Sequence, residues 1–303
     1  MLSICIPIYN LDVSALISEL DEQSKQLNTA VEIALIDDAS DAVFKKKNEE
    51  VCKKLKYIEL EKNIGRARIR NLFLQYTSFD NLLFIDCDST IISKDYISMY
   101  LEVIKQYDYP VICGSSIYDN YRPERNKMLR WKYGFEKESK PFEVRSLLPN
   151  KSFMTNNFLI KRKVFEKIRF DERITKYGHE DTLFGYELKR RGINIHHMDN
   201  PVLNGNIETN SEYLKKTETG IINLIQILNY VDDIDEFIQD LTLLNYYKKM
   251  HSLYLTQIIL FIYLCTKPFI RFSLINGFVN LKLFDFYKLG FLIQHINSTN
   301  KIN

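Results

Sequence analysis

The sequence predicts an α/β protein: a mainly parallel sheet flanked by helices, followed by a helical C-terminal region. Three observations predict it. Short apolar stretches alternate with longer amphipathic ones through the first half of the chain, which is the pattern of βαβ units joined by right-handed crossovers. Polar residues, including two acidic pairs, stand just after three of the apolar stretches, where such sheets bind ligands. From Ser211 onward the pattern is helical with no strand alternation.

Taken in order, strands are expected at Leu2–Ile8, Val31–Ile36, Tyr57–Leu60, Asn81–Asp86 and Tyr109–Cys113. Helices are expected between them at Asp12–Leu27, Asp41–Leu55, Gly65–Tyr76 and Lys94–Tyr107. In the first of these, Leu11, Ala15, Leu16, Leu20 and Leu27 approximate a helical stripe. Residues 115–150 carry Pro123, Pro141, Pro149 and the single Trp, Trp131, and read as a long loop or flap over a site. Beyond it come a helix near Lys161–Ile168, a helix from about Glu180 to Arg191 closed by Gly192, and a strand Ile193–His197. Two regions follow: an α/β domain over 1–208 and a helical, apolar and basic region over 209–303.

A chain of 303 residues that is 46% hydrophobic and 26% charged is a folded globular chain. Lys and Arg number 41 against 39 acids, a net +2, which argues against a nucleic acid held by bulk charge. The balance is uneven, however. Residues 251–303 hold Lys267, Arg271, Lys282, Lys288 and Lys301 against Asp285 alone, or +4, which leaves −2 for the rest. The five cysteines include no close pair, so neither a disulfide framework nor a zinc cluster is expected. No basic segment leading into a long apolar stretch opens the chain, and the cytoplasm is the expected compartment. In the tail the longest apolar run, Leu253–Cys265, has 13 residues where a span takes about 20. Lys267–Pro268 is expected to interrupt it, so no transmembrane helix is expected.

Four motifs carry chemistry. In Asp86-Cys87-Asp88 two carboxylates close a strand end. Such an oxygen site suits Mg²⁺ or Mn²⁺ held with substrate phosphates, although the bare pattern also describes a solvated turn. Asp37-Asp38-Ala39-Ser40 offers carboxylates to a base or ribose, or an N-cap. Asn63 to Asn71 opens a helix with Arg66, Arg68 and Arg70, a phosphate-binding arrangement or a solvated basic face. Gly178-His179-Glu180-Asp181 puts two acids in a first helical turn, as a general base or as a favourable charge on the helix dipole.

Their order is more specific than any one of them. Ile-Pro-Ile-Tyr-Asn at 6–10, Ile-Asp-Asp-Ala-Ser at 36–40, Asn-Ile-Gly-Arg-Ala-Arg at 63–68, Asp-Cys-Asp at 86–88, Asn156 to Ile160 and Gly-His-Glu-Asp at 178–181 follow one another. Over residues 1 to about 208 the chain resembles a family 2 glycosyltransferase of the GT-A fold. The resemblance implies inverting transfer of a sugar from a nucleotide diphosphate sugar, as a UDP-sugar, to an acceptor hydroxyl, with Mn²⁺ or Mg²⁺. It places Pro7 and Tyr9 in the donor-binding segment, Asp38 with Asp37 against the base, and Arg66 or Arg68 near the nucleotide. It places Asp86 against ribose and metal, Asp88 on the metal, and Asp181 as catalytic base with Glu180 in support. Trp131 and Asn156 are the acceptor-side candidates. Relatives often carry a metal-binding His after an Asn-Pro-Val segment; here Asn200-Pro201-Val202 leads to Asn204, so three alternatives stand open: His196 or His197 substitutes as ligand, water does, or the metal is held weakly. The expected acceptor is a glycan or glycolipid in surface polysaccharide synthesis. A catalytically degenerate nucleotide-sugar-binding scaffold is the alternative. For the basic apolar tail two uses fit: peripheral contact with the inner face of the plasma membrane through 251–295, or packing onto the core or a twin subunit in a homodimer.

Overall fold

The computed structural model describes residues 1–296. The first half of the chain runs β1 (Leu2–Ile8), α1 (Ser14–Lys25), β2 (Val31–Asp37), α2 (Ala42–Val51), β3 (Lys56–Glu59), α3 (Arg66–Tyr76), β4 (Asn81–Ile85), β5 (Ser89–Thr90), α4 (Tyr96–Gln106), β6 (Val111–Cys113) and β7 (Ser116–Ile117). It continues through α5 (Met128–Tyr133), α6 (Phe142–Ser146), β8 (Asn157–Lys161), α7 (Arg162–Phe165), α8 (Glu180–Arg190), β9 (His196–His197) and β10 (Val202–Asn204). Five helices close it: α9 (Asn210–Ile227), α10 (Ile234–Asp240), α11 (Thr242–Ser252), α12 (Thr256–Ile275) and α13 (Leu281–Ile296). Lys301, one of the tail cations, lies outside the described residues.

Two compact units share these elements. The first comprises Met1–Asp119, Glu138–Thr175 and Glu180–Asn206; the second comprises Asn120–Lys137, Lys176–His179 and Ile207–Asn303.

The first unit is built on a seven-stranded sheet in the order β3-β2-β1-β4-β8-β6-β9. Strands β3, β2, β1 and β4 are mutually parallel, and β8 runs antiparallel between β4 and β6. Both faces are covered. Ile4, Ile6, Ile8, Leu35 and Leu83 pack toward α1 and α4, while Cys5, Ala34, Ile36, Phe84 and Phe158 face α3 and α8. Alternation along each strand sorts the side chains between two apolar layers. The chain leaves β1 to one side for β2 and β3, then returns to the other side for β4. That reversal is a topological switch point, where open sheets place ligands. The pairing of β1 with β4 stops at Cys5 and Phe84, so Pro7 lies past the point where the two strands part. A second sheet, β5-β10-β7, stands beside this end.

Several sequence expectations change. Lys161–Ile168 is not one helix: its first residue ends β8, and only Arg162–Phe165 is helical. The flap 115–150 carries β7, α5 and α6 rather than irregular chain. Lys267–Pro268 does not interrupt the tail, because α12 runs unbroken through Pro268. α12 is therefore the one helix among the described residues long and apolar enough to cross a membrane, with mean hydropathy 1.8.

The second unit is helical. Its α9 begins with a capping box between Thr209 and Glu212. Asn223 on the same helix donates to the carbonyls of Lys176, Tyr177 and Gly178 at 2.9–3.2 Å. Trp131 is buried and stacks on Phe135 with ring centroids 5.3 Å apart. One face of its indole is thus taken up by packing.

Candidate active site

The site grows from the carboxyl ends of β1, β2, β4 and β6. Three non-glycine residues here adopt the left-handed region: Asn10 (φ 49°), Ala39 (φ 61°) and Ser115 (φ 69°). Such conformations persist only where surroundings enforce them. The enforcement is visible between the first two strands. Asn10 N donates to Ser40 Oγ at 2.8 Å, and Asp41 N donates back to Asn10 Oδ1 at 2.7 Å. Tyr9, between them in the chain, turns its side chain outward and is 54% exposed.

The two acids after β2 divide their work. Asp37 accepts from Ser40 N at 2.6 Å and Tyr57 Oη at 3.1 Å, so it closes its own strand end. Asp38 reaches across to the turn before α3, where Oδ1 accepts from Ile64 N at 2.7 Å and Oδ2 from Gly65 N at 3.0 Å. Burial, with Asp37 adding repulsion, raises its pKa against those two hydrogen bonds. Gly65 at φ 85° makes the turn possible, and α3 starts at the next residue.

Helix α3 then presents two arginines inward. Arg66 Nη2 lies 2.9 Å from Asp86 Oδ2 and its Nε lies 3.1 Å from Glu180 Oε1. Arg70, fully buried, donates to Asp86 Oδ1 at 2.7 Å. Arg68 does not join them: half-exposed, it pairs with Glu172 at 3.6 Å, so of the two arginines expected near the nucleotide Arg66 is the one among these acids. Residues four apart share a helix face and residues two apart do not. That spacing is the signal by which Arg70, missing from the expected site set, could have been found.

Asp86 is thus held by two guanidiniums, and its backbone N donates to Asn156 O at 3.0 Å. Asp88, half-buried, is fixed through its backbone, its carbonyl accepting from Gly205 N at 3.1 Å. A Cβ at 205 would lie 3.0 Å from that carbonyl, so glycine permits the approach. Asn204 pairs with Ser89 across β10 and β5 and donates to Tyr118 Oη, which donates to Glu138, each at 2.9 Å.

Two acids open α8. Glu180 is buried against Arg66. Asp181 accepts from Thr182 N at 2.7 Å, and burial, with Glu180 beside it, pushes its carboxyl up to about 6. A carboxylate tuned this way can take and release a proton near neutrality. The structure therefore brings Arg66, Arg70, Asp86, Glu180 and Asp181 together, with Asp88 two residues from Asp86.

His197 stays apart from them. Its Nδ1 lies 2.5 Å from Arg145 Nη1 and its Nε2 lies 2.8 Å from Pro149 O. Burial pushes it down to about 4. Both ring nitrogens of a neutral imidazole are thus engaged with Arg145 and Pro149. His196 stacks on Tyr109 at 3.9 Å. Among the described residues no group of three or more His, Cys, Asp or Glu side chains is set to hold a metal. The residues present fit a divalent ion bound through few protein oxygens and completed by substrate phosphates, the usual habit of Mg²⁺. Asp86, Asp88, Glu180 and Asp181 against Arg66 and Arg70 leave a formal −2 to be balanced. Asn156 Oδ1 is buried without a hydrogen-bond partner, an acceptor in the turn just before β8, the strand that pairs with β4.

Comparison with known proteins agrees with this geometry. The structure is similar to mannosyltransferase PcManGT from Pyrobaculum calidifontis, solved with GDP-Man and Mn²⁺: TM-score 0.61, 12% identity, 99% of this chain and 88% of that one. It is similar to glucosyl-3-phosphoglycerate synthase from Mycobacterium tuberculosis, solved with Mn²⁺, UDP and glucosyl-3-phosphoglycerate: TM-score 0.54, 16% identity, 77% and 81% covered. It is also similar to residues 1–349 of S. aureus TarS: TM-score 0.51, 18% identity, 98% and 89% covered. Of the longer S. aureus TarS structure the chain spans 42%. No curated protein matches by sequence. At these identities the likeness establishes the fold, GT-A with a C-terminal helical region. The model of glycosyl transferase family 2 matches residues 3–169, more than half of the chain, and the chain belongs to that family.

Proposed function

We propose that this protein is an inverting, metal-assisted glycosyltransferase that moves a sugar from a nucleotide diphosphate sugar, a UDP-sugar, to a hydroxyl of a glycan or glycolipid. The observation that carries the reading is the chain Asp181–Glu180–Arg66–Asp86–Arg70. It ties a carboxylate of raised pKa to the Asp-Cys-Asp turn through one guanidinium.

In this reading the nucleotide lies over the parted ends of β1 and β4, along Pro7 and Tyr9. Asp38 keeps free lone pairs for a base even while accepting from Ile64 and Gly65. Arg66 is 41% exposed along its side chain and can turn from its carboxylates toward a diphosphate, whereas buried Arg70 stays on Asp86. Asn156 Oδ1 accepts from a donor or acceptor hydroxyl. Asp181 takes the acceptor proton as that oxygen bonds to the anomeric carbon; the bond to the nucleoside diphosphate breaks, and its electron pair leaves with the phosphate. One displacement inverts the centre and needs no nucleophilic side chain. Mn²⁺ or Mg²⁺, held by Asp88 with the phosphates, would neutralise charge on the leaving group.

The PcManGT and glucosyl-3-phosphoglycerate synthase structures that contain Mn²⁺ support metal use, and the synthase structure with UDP and the S. aureus TarS structure with UDP-GlcNAc support the donor class. A non-catalytic scaffold is not favoured, since it would have no use for the tuned Asp181. The test is donor hydrolysis and transfer across a nucleotide-sugar panel with Mn²⁺, alongside calorimetric titration of UDP. Loss of turnover in both Asp88→Ala and Asp181→Ala is expected. Wild-type turnover in both would overturn the assignment, and UDP binding without turnover on any donor would favour the scaffold.

A further inference from the structure

The second unit carries an apolar surface that includes none of the proposed donor or catalytic residues. α12 is sharply two-faced. Ile258, Phe261, Ile262, Phe269 and Phe272 are all exposed, with Phe261, Phe269 and Phe272 at 68%, 78% and 67%. At 3.6 residues per turn these five fall within an arc of about 100° running the length of the helix. The opposite side holds Tyr263, Ile270 and Leu274, all buried.

Both charges of α12 also point inward. Arg271 pairs with Glu218 at 2.7 Å, and Lys267 lies over the rings of Tyr263 and Phe291. The outer stripe is thus uncharged from end to end. A contiguous apolar surface of this kind marks a contact site on a folded protein.

Cations frame the stripe. Exposed Lys249 stands in the last turn of α11, beside Lys248, which also pairs with Asp235 at 2.6 Å; exposed Leu253 and Tyr254 follow, and exposed Lys282 opens α13 just after exposed Phe278. From Lys248 to Ile296 six Lys and Arg stand against Asp285 alone, a net +5. We propose that the outer face of α12 is a membrane-docking surface, which lies in the plane of an anionic phospholipid leaflet with its phenylalanines in the acyl boundary and its flanking lysines on the headgroups.

The charge decides the occupant. A twofold contact with a second copy would set the same basic patch against itself, whereas anionic headgroups complement it. The buried inner face decides the orientation. Tyr263, Ile270 and Leu274 pack within the unit, so the helix meets lipid along one side and does not cross.

The full chain is sedimented with phosphatidylcholine vesicles, with and without phosphatidylglycerol. Binding is expected only with phosphatidylglycerol, and it weakens as salt rises. The triple substitution Phe261→Ser, Phe269→Ser and Phe272→Ser is expected to weaken binding at least about tenfold. Replacing Lys248, Lys249 and Lys282 by Glu should abolish the preference for phosphatidylglycerol. Donor hydrolysis in solution should be unchanged by either set, so a failure here is separable from a failure of the transferase reading. The proposal is overturned if wild type ignores anionic vesicles, or if the phenylalanine variant binds them like wild type. Recovery of the protein only by detergent after alkaline carbonate would mean a spanning helix, and conversion of a wild-type dimer to a monomer by the phenylalanine set would mean a self-interface; either sinks it.

Discussion

The carboxyl edge of the large sheet and the outer face of α12 break ordinary packing rules in opposite directions. At the sheet edge, charge is buried: Arg70 and Glu180 lie in the interior, and each is tied to a partner of opposite sign. On α12, apolar rings are left in the open. The first arrangement costs desolvation that neighbouring charges offset; the second forgoes burial that a folded chain normally takes. A surface is marked as functional by what it keeps against its own stability, and these two keep different things. In the two proposed readings, one keeps chemistry and the other keeps adhesion.

The sharpest way to break the contrast is Asp181→Asn. Turnover is expected to fall by about 10²–10⁴-fold, the usual worth of a positioned base. Stability should move the other way. A carboxyl raised in the fold adds stability below its unfolded pKa and loses it as pH rises through about 6. An amide keeps that stability at pH 7, by on the order of 1 kcal/mol, read from urea unfolding at pH 7. The next effect is Arg70→Met, which strands Asp86 on one partner and should cost about 3 kcal/mol, by the same unfolding assay. The third is the pH profile of kcat/KM, which should fall about tenfold per unit below pH 6 in wild type as Asp181 takes up its proton. Arg68→Ala should have the least effect, changing unfolding by less than about 0.5 kcal/mol, because its partner Glu172 is a surface one. If Arg68→Ala hurts turnover as much as Arg70→Met hurts stability, the division of α3 into a working face and an outer face is wrong.

The parallel half of the fold was legible because its strands are separated by amphipathic helices of ordinary length. β8 was not. Phe158-Leu159-Ile160 is buried on both sides and so does not alternate, and the Lys-Arg-Lys run after it reads as the start of a helix. Pro268 misled for a different reason. Proline inside a helix costs about 3 kcal/mol, but Tyr263, Ile270 and Leu274 anchor α12 on both sides of it, and tertiary packing prevails. At the site, motif order located the acids but not their partners. The divergence of Arg68 from Arg66 and Arg70 follows from helical phase alone, whereas the engagement of His197 by Arg145 and Pro149 required the fold.

In the proposed reading Asp38 joins two duties in one side chain, contact with the base and closure of the turn before α3. Whatever draws on its carboxylate also pulls on the amides of Ile64 and Gly65, and through them on the first turn of α3 that carries Arg66. In that reading donor choice and donor reactivity share a lever. A lineage adopting a different nucleotide could not simply exchange this acid, since the same change would slacken the arginine. New donors would have to be accommodated from the surrounding loops, with Asp38 left in place.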